Sequence, residues 1–223
     1  MKVLVAVITC EKFKARADAQ RATWAKGARG ADVRFFLAKQ DREPKPDEVF
    51  LDAPDDYHSL PVKVRAMHQW AGSHGYDLIF KTDDDTYVNV PNLLTALPLK
   101  DYVGFINFTP PKPWCSGFGY WTSARASQIL STEVIPTGEW AEDRWVGGIL
   151  FDHGIRPHAD KSQAFSGDLT GRYVLILPPN YGMDVDYKRA VAVCDCRPRG
   201  AFTMQQLHNL SRRVDFEPLD YGP

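Results

Sequence analysis

The chain has 223 residues and the apolar content of an ordinary globular protein, enough for one large α/β domain or two small ones. Its 27 basic and 28 acidic residues leave a net charge of −1, which argues against a dedicated nucleic-acid binder, because neutralising phosphates takes clustered Lys and Arg. The local group Arg197, Arg199, Arg212 and Arg213 reads as a solvated face, and nucleic acid stays open only as an acceptor molecule.

Met1-Lys2 leads into the apolar run Val3–Ile8, which is too short to span a membrane. No small-residue cleavage site follows, so the run reads as a buried first strand rather than a signal peptide. No other segment is long enough to cross a bilayer. Cys10, Cys115, Cys194 and Cys196 are sparse for a disulfide framework, and Cys194-x-Cys196 is too tight for a zinc knuckle. Together these features point to a reduced, cytoplasmic protein.

After the first strand, the pattern predicts a helix from about Lys14 to Lys26, closed by Gly27 and Gly30. Val33–Leu37 reads as a strand, and the Pro- and acid-rich stretch from Asp41 to Asp56 as a loop. Tyr57, Leu60, Val64, Met67 and Ala71 share one face of an amphipathic helix that Gly72 and Gly75 end. Asp77–Lys81 is a strand, and a short helix carries Leu93, Leu94 and Leu97. Tyr102–Ile106 is a strand, Pro110–Pro113 a rigid connector, and Gly117–Trp121 a glycine-punctuated aromatic segment. Helices are expected at Ala124–Leu130, at about Glu142–His153 and at about Phe202–Leu210, with late strands at Tyr173–Leu177 and Val191–Cys194. The alternation of strands and helices argues a layered α/β fold in one domain, with no internal repeats.

Asp83-Asp84-Asp85 places dense negative charge at the carboxyl end of a buried strand, where open α/β sheets bind their ligands. Adjacent carboxylates repel unless a cation or donors sit among them. A hard divalent cation commonly bridges such acids to phosphates, so the motif suggests a metal–diphosphate site; a solvated acidic turn is the bland alternative.

Five pieces occur in order: Arg21-Ala22-Thr23-Trp24, Asp55–Lys63, Lys81–Asn89, Trp114–Ser123 and Glu142–Gly147. Together they resemble the β-1,3-galactosyltransferase/Fringe family of glycosyltransferases, over about two thirds of the chain from Val3 to Leu150. The resemblance implies a GT-A type fold: a Rossmann-like α/β/α sandwich with a mixed, mostly parallel central sheet. It implies a nucleotide-binding half near 1–106 and an acceptor-binding half near 107–223. It also implies a UDP-sugar donor, a manganese ion (with magnesium possible) and inversion at the anomeric carbon.

Carried onto this chain, the metal falls to Asp85 and Asp83, while Asp83 and Asp84 also lie toward the ribose and uracil. Ile8 and Thr9 would border the uracil, and Arg21 would lie near the nucleotide. Asp143 is the candidate general base, with Glu142 beside it. Trp114, Tyr120 and Trp145 are the candidate acceptor-stacking aromatics, whereas Trp24 reads as packing. Where relatives use a late His as second metal ligand, Asp195 is the best-placed counterpart here, with His208 and His158 as rivals. Ser59 stands where Asn is common, and Arg144 where Val is common. The membrane anchor and stem of luminal members are not seen, which puts their glycoprotein and glycolipid acceptors in question. Two other readings compete: a non-catalytic sugar-binding module on the same fold, and a haloacid-dehalogenase-like phosphatase using the aspartates. The intact Glu142-Asp143 pair opposes the first, and Tyr87 stands where the second wants Thr or Val.

Overall fold

The computed structural model of the chain describes residues 1–95, 97–109, 111–159, 174–176, 190–193 and 203–212. In order, β1 (Val3–Ile8) leads to α1 (Lys14–Ala22), β2 (Asp32–Ala38), β3 (Glu48–Leu51) and α2 (Leu60–Ser73). Next come β4 (Leu78–Asp83), β5 (Tyr87–Val88), α3 (Val90–Thr95), β6 (Tyr102–Thr109) and β7 (Lys112–Ser123). They are followed by α4 (Ala124–Thr132), α5 (Glu142–Asp152), β8 (His158–Ala159), β9 (Val174–Ile176), β10 (Ala190–Val193) and α6 (Met204–Arg212).

Among the described residues, seven strands form one sheet in the order β3-β2-β1-β4-β7-β6-β8. The first four run parallel; β7 lies antiparallel between β4 and β6, and β8 is parallel to β6. A small second sheet pairs β5, β10 and β9. All six residues of β1 are buried, as expected of a central parallel strand covered on both faces. Successive side chains alternate between faces. Val3, Val5, Val7, Phe80 and Trp121 join Ala17 and Trp24 of the α1 segment and Met204 and Leu207 of α6. Leu4, Ala6, Ile8 and Ile79 join Val64, Met67 and Ala71 of α2, with residues of α4 and α5. Burying each large apolar side chain contributes about 1.5–3 kcal/mol, so these two layers carry much of the stability.

The structure corrects several boundaries. α1 stops at Ala22 because Thr23 leaves helical geometry and turns its hydroxyl back onto the Ala19 carbonyl at 2.7 Å. β3 lies inside the stretch read as loop, a short edge strand paired to β2. Residues 57–59 form a separate 3-10 turn ahead of α2, and Tyr57 is exposed rather than on the buried face. β4 runs on through Asp83. The proline connector and the aromatic segment belong largely to β7, a strand of 12 residues. The two-residue strands β5 and β8 were unforeseen. Among the described residues, no helix is long and apolar enough to cross a membrane.

Candidate active site

The acid motif sits where three strands converge. β4 pairs in parallel with β1, which sets Ile8 opposite Asp83. On its other side β4 pairs antiparallel with β7, which sets Thr82 opposite Gly119. Thr82 and Thr86 both donate hydroxyl hydrogen bonds to the Phe118 carbonyl, at 2.8 and 3.2 Å. From α1, Gln20 Nε2 donates to the Asp83 and Thr86 carbonyls at 3.0 and 2.8 Å. The turn that carries the aspartates is thus pinned from both sides.

Each aspartate meets a different environment. Asp84 is buried; its carboxylate accepts from Thr9 Oγ1 at 2.9 Å and from Arg16 Nη1 at 3.1 Å. Burial pushes its carboxyl up to about 6, against the lowering pull of those two hydrogen bonds. Asp85 Oδ2 lies 3.6 Å from Arg16 Nη1. The Asp83 side chain is 39% exposed, and its Oδ1 accepts from Lys81 Nζ at 2.8 Å. Relief of the mutual repulsion therefore comes in part from the chain's own cations, Arg16 and Lys81. The guanidinium of Arg16 stacks 3.8 Å from the centre of the Phe13 ring, which steadies it.

Lys81 is buried and makes three contacts, matching its three donors. Besides Asp83, it donates to the Gly117 carbonyl at 2.6 Å and to Glu142 Oε2 at 3.1 Å. Burial works against its charge, but Asp83 and Glu142 outweigh burial and raise its pKa above the ordinary lysine value. The other Glu142 oxygen accepts from Tyr120 OH at 2.5 Å. Gly117 answers on its other side: its N–H donates to Asp143 Oδ2 at 3.3 Å. Gly117 has no room for a side chain, since a Cβ there would lie 2.9 Å from Glu142 Oε2 and 3.4 Å from Lys81 Nζ. Asp83, Lys81, Gly117 and Asp143 thus form one connected path from the acid turn to the start of α5. Acidic residues in the first turn of α5 also face the positive end of its dipole.

Of the residues singled out from sequence, the structure gathers Ile8, Thr9, Asp83, Asp84, Asp85, Glu142 and Asp143 around the carboxyl end of β4. Arg21 is elsewhere. It pairs with Asp18, Asp47 and Glu48 at 2.8–3.1 Å and lies over the Phe35 ring, so the first helix reaches the acids through Arg16 and Gln20 instead. Tyr120 and Trp145 cannot stack on a sugar, being 0% and 3% exposed within the layer under α5. Trp114 is partly open and lines a cleft of about 380 Å³ with Pro136, Arg144 and Ile149. Asp195 lies outside the described residues. His208 contacts Tyr87 OH at 3.2 Å, and His158 is exposed on the β8 edge strand. Trp24 is buried, as packing requires. Lys81, Arg16 and Gln20 went unassigned from sequence; the signal for Lys81 was a lysine on an apolar strand two residues before Asp83, hence on the same face.

Residues 18–106 match the family model described as Galactosyltransferase. Mouse (Mus musculus) UDP-GalNAc:beta-1,3-N-acetylgalactosaminyltransferase 2 is 29% identical over 111 residues, 49% of this chain and 19% of the relative. Human (Homo sapiens) beta-1,3-galactosyltransferase 4 is 34% identical over 85 residues, 37% of this chain and 21% of the relative. The matched stretch is therefore about a fifth of the length of these curated relatives. The structure of galactosyltransferase LgtC in complex with donor and acceptor sugar analogs superimposes with a TM-score of 0.52 at 12% identity, covering 98% of each chain. A glycosyltransferase involved in glycosylation of the major capsid of PBCV-1 gives 0.52 at 11% identity, covering 96% of this chain and all of the other. At such identities the likeness is one of fold, and that fold is the GT-A sandwich implied by the sequence motifs. The matches oppose the phosphatase alternative.

Proposed function

Starting from a β-1,3-galactosyltransferase-like glycosyltransferase of GT-A fold, we propose that this chain moves a hexose or N-acetylhexosamine from a UDP-sugar to an acceptor hydroxyl, with metal dependence and inversion. The observation that carries this reading is the path Asp83–Lys81–Gly117–Asp143, which ties the acid turn to a carboxylate suited to act as base.

Ile8, Thr9 and Asp84 are assigned to the uracil and ribose side of the donor. Asp83 and Asp85, with Asp195, are assigned to a manganese or magnesium ion; their all-oxygen donor chemistry suits a hard divalent cation. Such an ion, when bound, supplies Lewis-acid neutralisation of the leaving diphosphate. Asp143 accepts the proton of the acceptor hydroxyl as that oxygen attacks the anomeric carbon from the face opposite the UDP. One carboxylate is enough for such a single displacement. Glu142 does not compete for this role, since both its oxygens are bound by Lys81 and Tyr120. Its part is to hold Lys81, and through Gly117 the orientation of Asp143.

The direct experiment is a panel of UDP-sugars, read by UDP release with manganese, magnesium or excess chelator. Metal-dependent release from at least one UDP-hexose or UDP-N-acetylhexosamine is expected. No release from any donor would favour the non-catalytic sugar-binding module.

A further inference from the structure

We propose that Tyr57, His58 and Trp140 form the platform that receives the acceptor as a neutral pyranose ring; the inference rests on the glycosyltransferase reading above. Three rings from two distant parts of the chain meet here, Tyr57 and His58 from one and Trp140 from the other. Tyr57 and Trp140 lie 5.8 Å apart between centroids, tilted by 40°. His58 lies 6.2 Å from Trp140 and 6.1 Å from Tyr57, both edge-on. The cluster stays open to solvent, with Tyr57 65% and Trp140 43% exposed. Single exposed apolar residues are ordinary, but a cluster of touching, exposed rings marks a contact surface.

Both supports of the platform are anchored to the site. Asp55 Oδ1 accepts from Lys63 Nζ at 2.5 Å and from the Ala38 N–H at 3.2 Å, and Lys63 also donates to the Thr9 carbonyl at 2.9 Å. Asp56 accepts from the Ser59 N–H and hydroxyl at 3.0 and 2.8 Å. The turn bearing Tyr57 and His58 is therefore fixed to the carboxyl ends of β1 and β2. Trp140 stands just before Ala141, the N-cap of α5, and three residues before Asp143. Glu139 Oε1 accepts from the Ala141 N–H at 2.9 Å and pairs with Arg144 at 3.4 Å, while the Arg144 guanidinium lies 5.7 Å from the Trp140 ring centre. The platform therefore joins the segment tied to the ends of β1 and β2 to the segment that leads into α5 and Asp143.

The surroundings select the occupant. The C–H face of a pyranose is apolar and packs on an aromatic face, while its ring hydroxyls need polar partners at the edge. Arg144, whose guanidinium lies over the Trp140 ring, and Glu139 paired with it provide donor and acceptor next to the platform. Tyr120 and Trp145, the aromatics that sequence suggested for this task, are buried; Tyr57 and Trp140 supply the exposed faces instead.

The test labels the full chain with 5-fluorotryptophan, assigns the Trp140 resonance with Trp140→Phe, and titrates methyl β-glycosides of galactose, N-acetylgalactosamine, N-acetylglucosamine, glucose and xylose in UDP and magnesium. At least one glycoside is expected to shift the Trp140 resonance and leave those of buried Trp24, Trp121 and Trp145 in place. Tyr57→Ala and Trp140→Ala are expected to raise the KM for that glycoside roughly tenfold, the scale of one lost stacking contact. UDP affinity by calorimetry is expected to stay unchanged, and Tyr57→Phe, which keeps the ring face, to restore the KM that Tyr57→Ala loses. A Trp140 resonance that no glycoside moves would overturn the platform. So would loss of UDP affinity in Tyr57→Ala or Trp140→Ala, which would make the rings a uracil shelf. Failure of donor hydrolysis in the wild type sinks the transferase reading separately, because the resonance titration needs no turnover.

Discussion

The Lys81 ammonium lies 3.1 Å from Glu142 Oε2, and both groups are almost fully buried. The pair joins β4 to the first residue of α5 across the β7 backbone. Removing one partner strands the other charge without solvent. Lys81→Met should therefore destabilise the fold by about 3–5 kcal/mol, the usual cost of breaking a buried pair. Lys81→Met combined with Glu142→Gln should recover part of that loss in denaturant titrations. A single variant as stable as the wild type would show that the pair contributes little.

Asp143→Asn should leave UDP affinity near normal and reduce turnover by roughly a hundredfold or more, the scale of general-base catalysis. The amide fills the same space beside Gly117 but cannot take a proton. If turnover at saturating acceptor survives and KM rises instead, Asp143 binds rather than abstracts.

UDP should bind tightly with manganese and weakly in excess chelator, as measured by calorimetry. Asp85→Asn should remove most of the metal-dependent gain, and Asp195→Ala a smaller part. Equal UDP affinity with and without metal would mean that Arg16 and Lys81 already supply the positive charge the diphosphate needs. Normal manganese dependence in Asp195→Ala would pass the second-ligand role to His208, His158 or water.

His68 should set part of the acid sensitivity of the fold. It is fully buried between α2 and α4, with Nδ1 2.9 Å from Ser127 Oγ. Burial, reinforced by the positive charge of Lys81, lowers its pKa from 6.5 to about 3. The unfolded chain then takes up the proton first as pH falls, so stability drops from about pH 6.5 downward and the loss ends near pH 3. The slope from this group is at most about 1.4 kcal/mol per pH unit. Unfolding midpoints at pH 7, 5 and 4 should fall more steeply for the wild type than for His68→Gln; parallel curves would exclude His68 as the group responsible.

Much of this site was readable because its carboxylates are contiguous in sequence. Asp83 ends an apolar strand, and Glu142 and Asp143 open an amphipathic helix, so local pattern placed them. Their cationic partners were less readable: Lys81 shows only as a lysine two residues before Asp83 on an apolar strand, and Arg16 meets Asp84 only once α1 packs beside β4. β7 was missed because Pro113, Gly117 and Gly119 have turn composition. The fold uses the glycines for clearance instead; a Cβ at Gly119 would lie 2.9 Å from Phe80 Cζ. Aromatic residues gave the least guidance. Composition does not distinguish Tyr120, buried and bound to Glu142, from Tyr57, exposed on the turn ahead of α2.

At Gly147, α5 touches β7 so closely that a Cβ would meet Trp114 Cβ first and lie 2.8 Å from Trp114 Cα and 2.9 Å from the Pro113 carbonyl oxygen. Backbone and the Cβ fixed to it, not the flexible end of a side chain, block the way. Even alanine at 147 would act as a wedge, tilting the whole helix whose first turn carries Asp143 and pulling that carboxylate from the Gly117 N–H. Trimming Trp114 would not make room, because the obstructing Cα and carbonyl remain. Any attempt to widen acceptor scope from this side of α5 should therefore leave position 147 alone and vary the residues around Arg144.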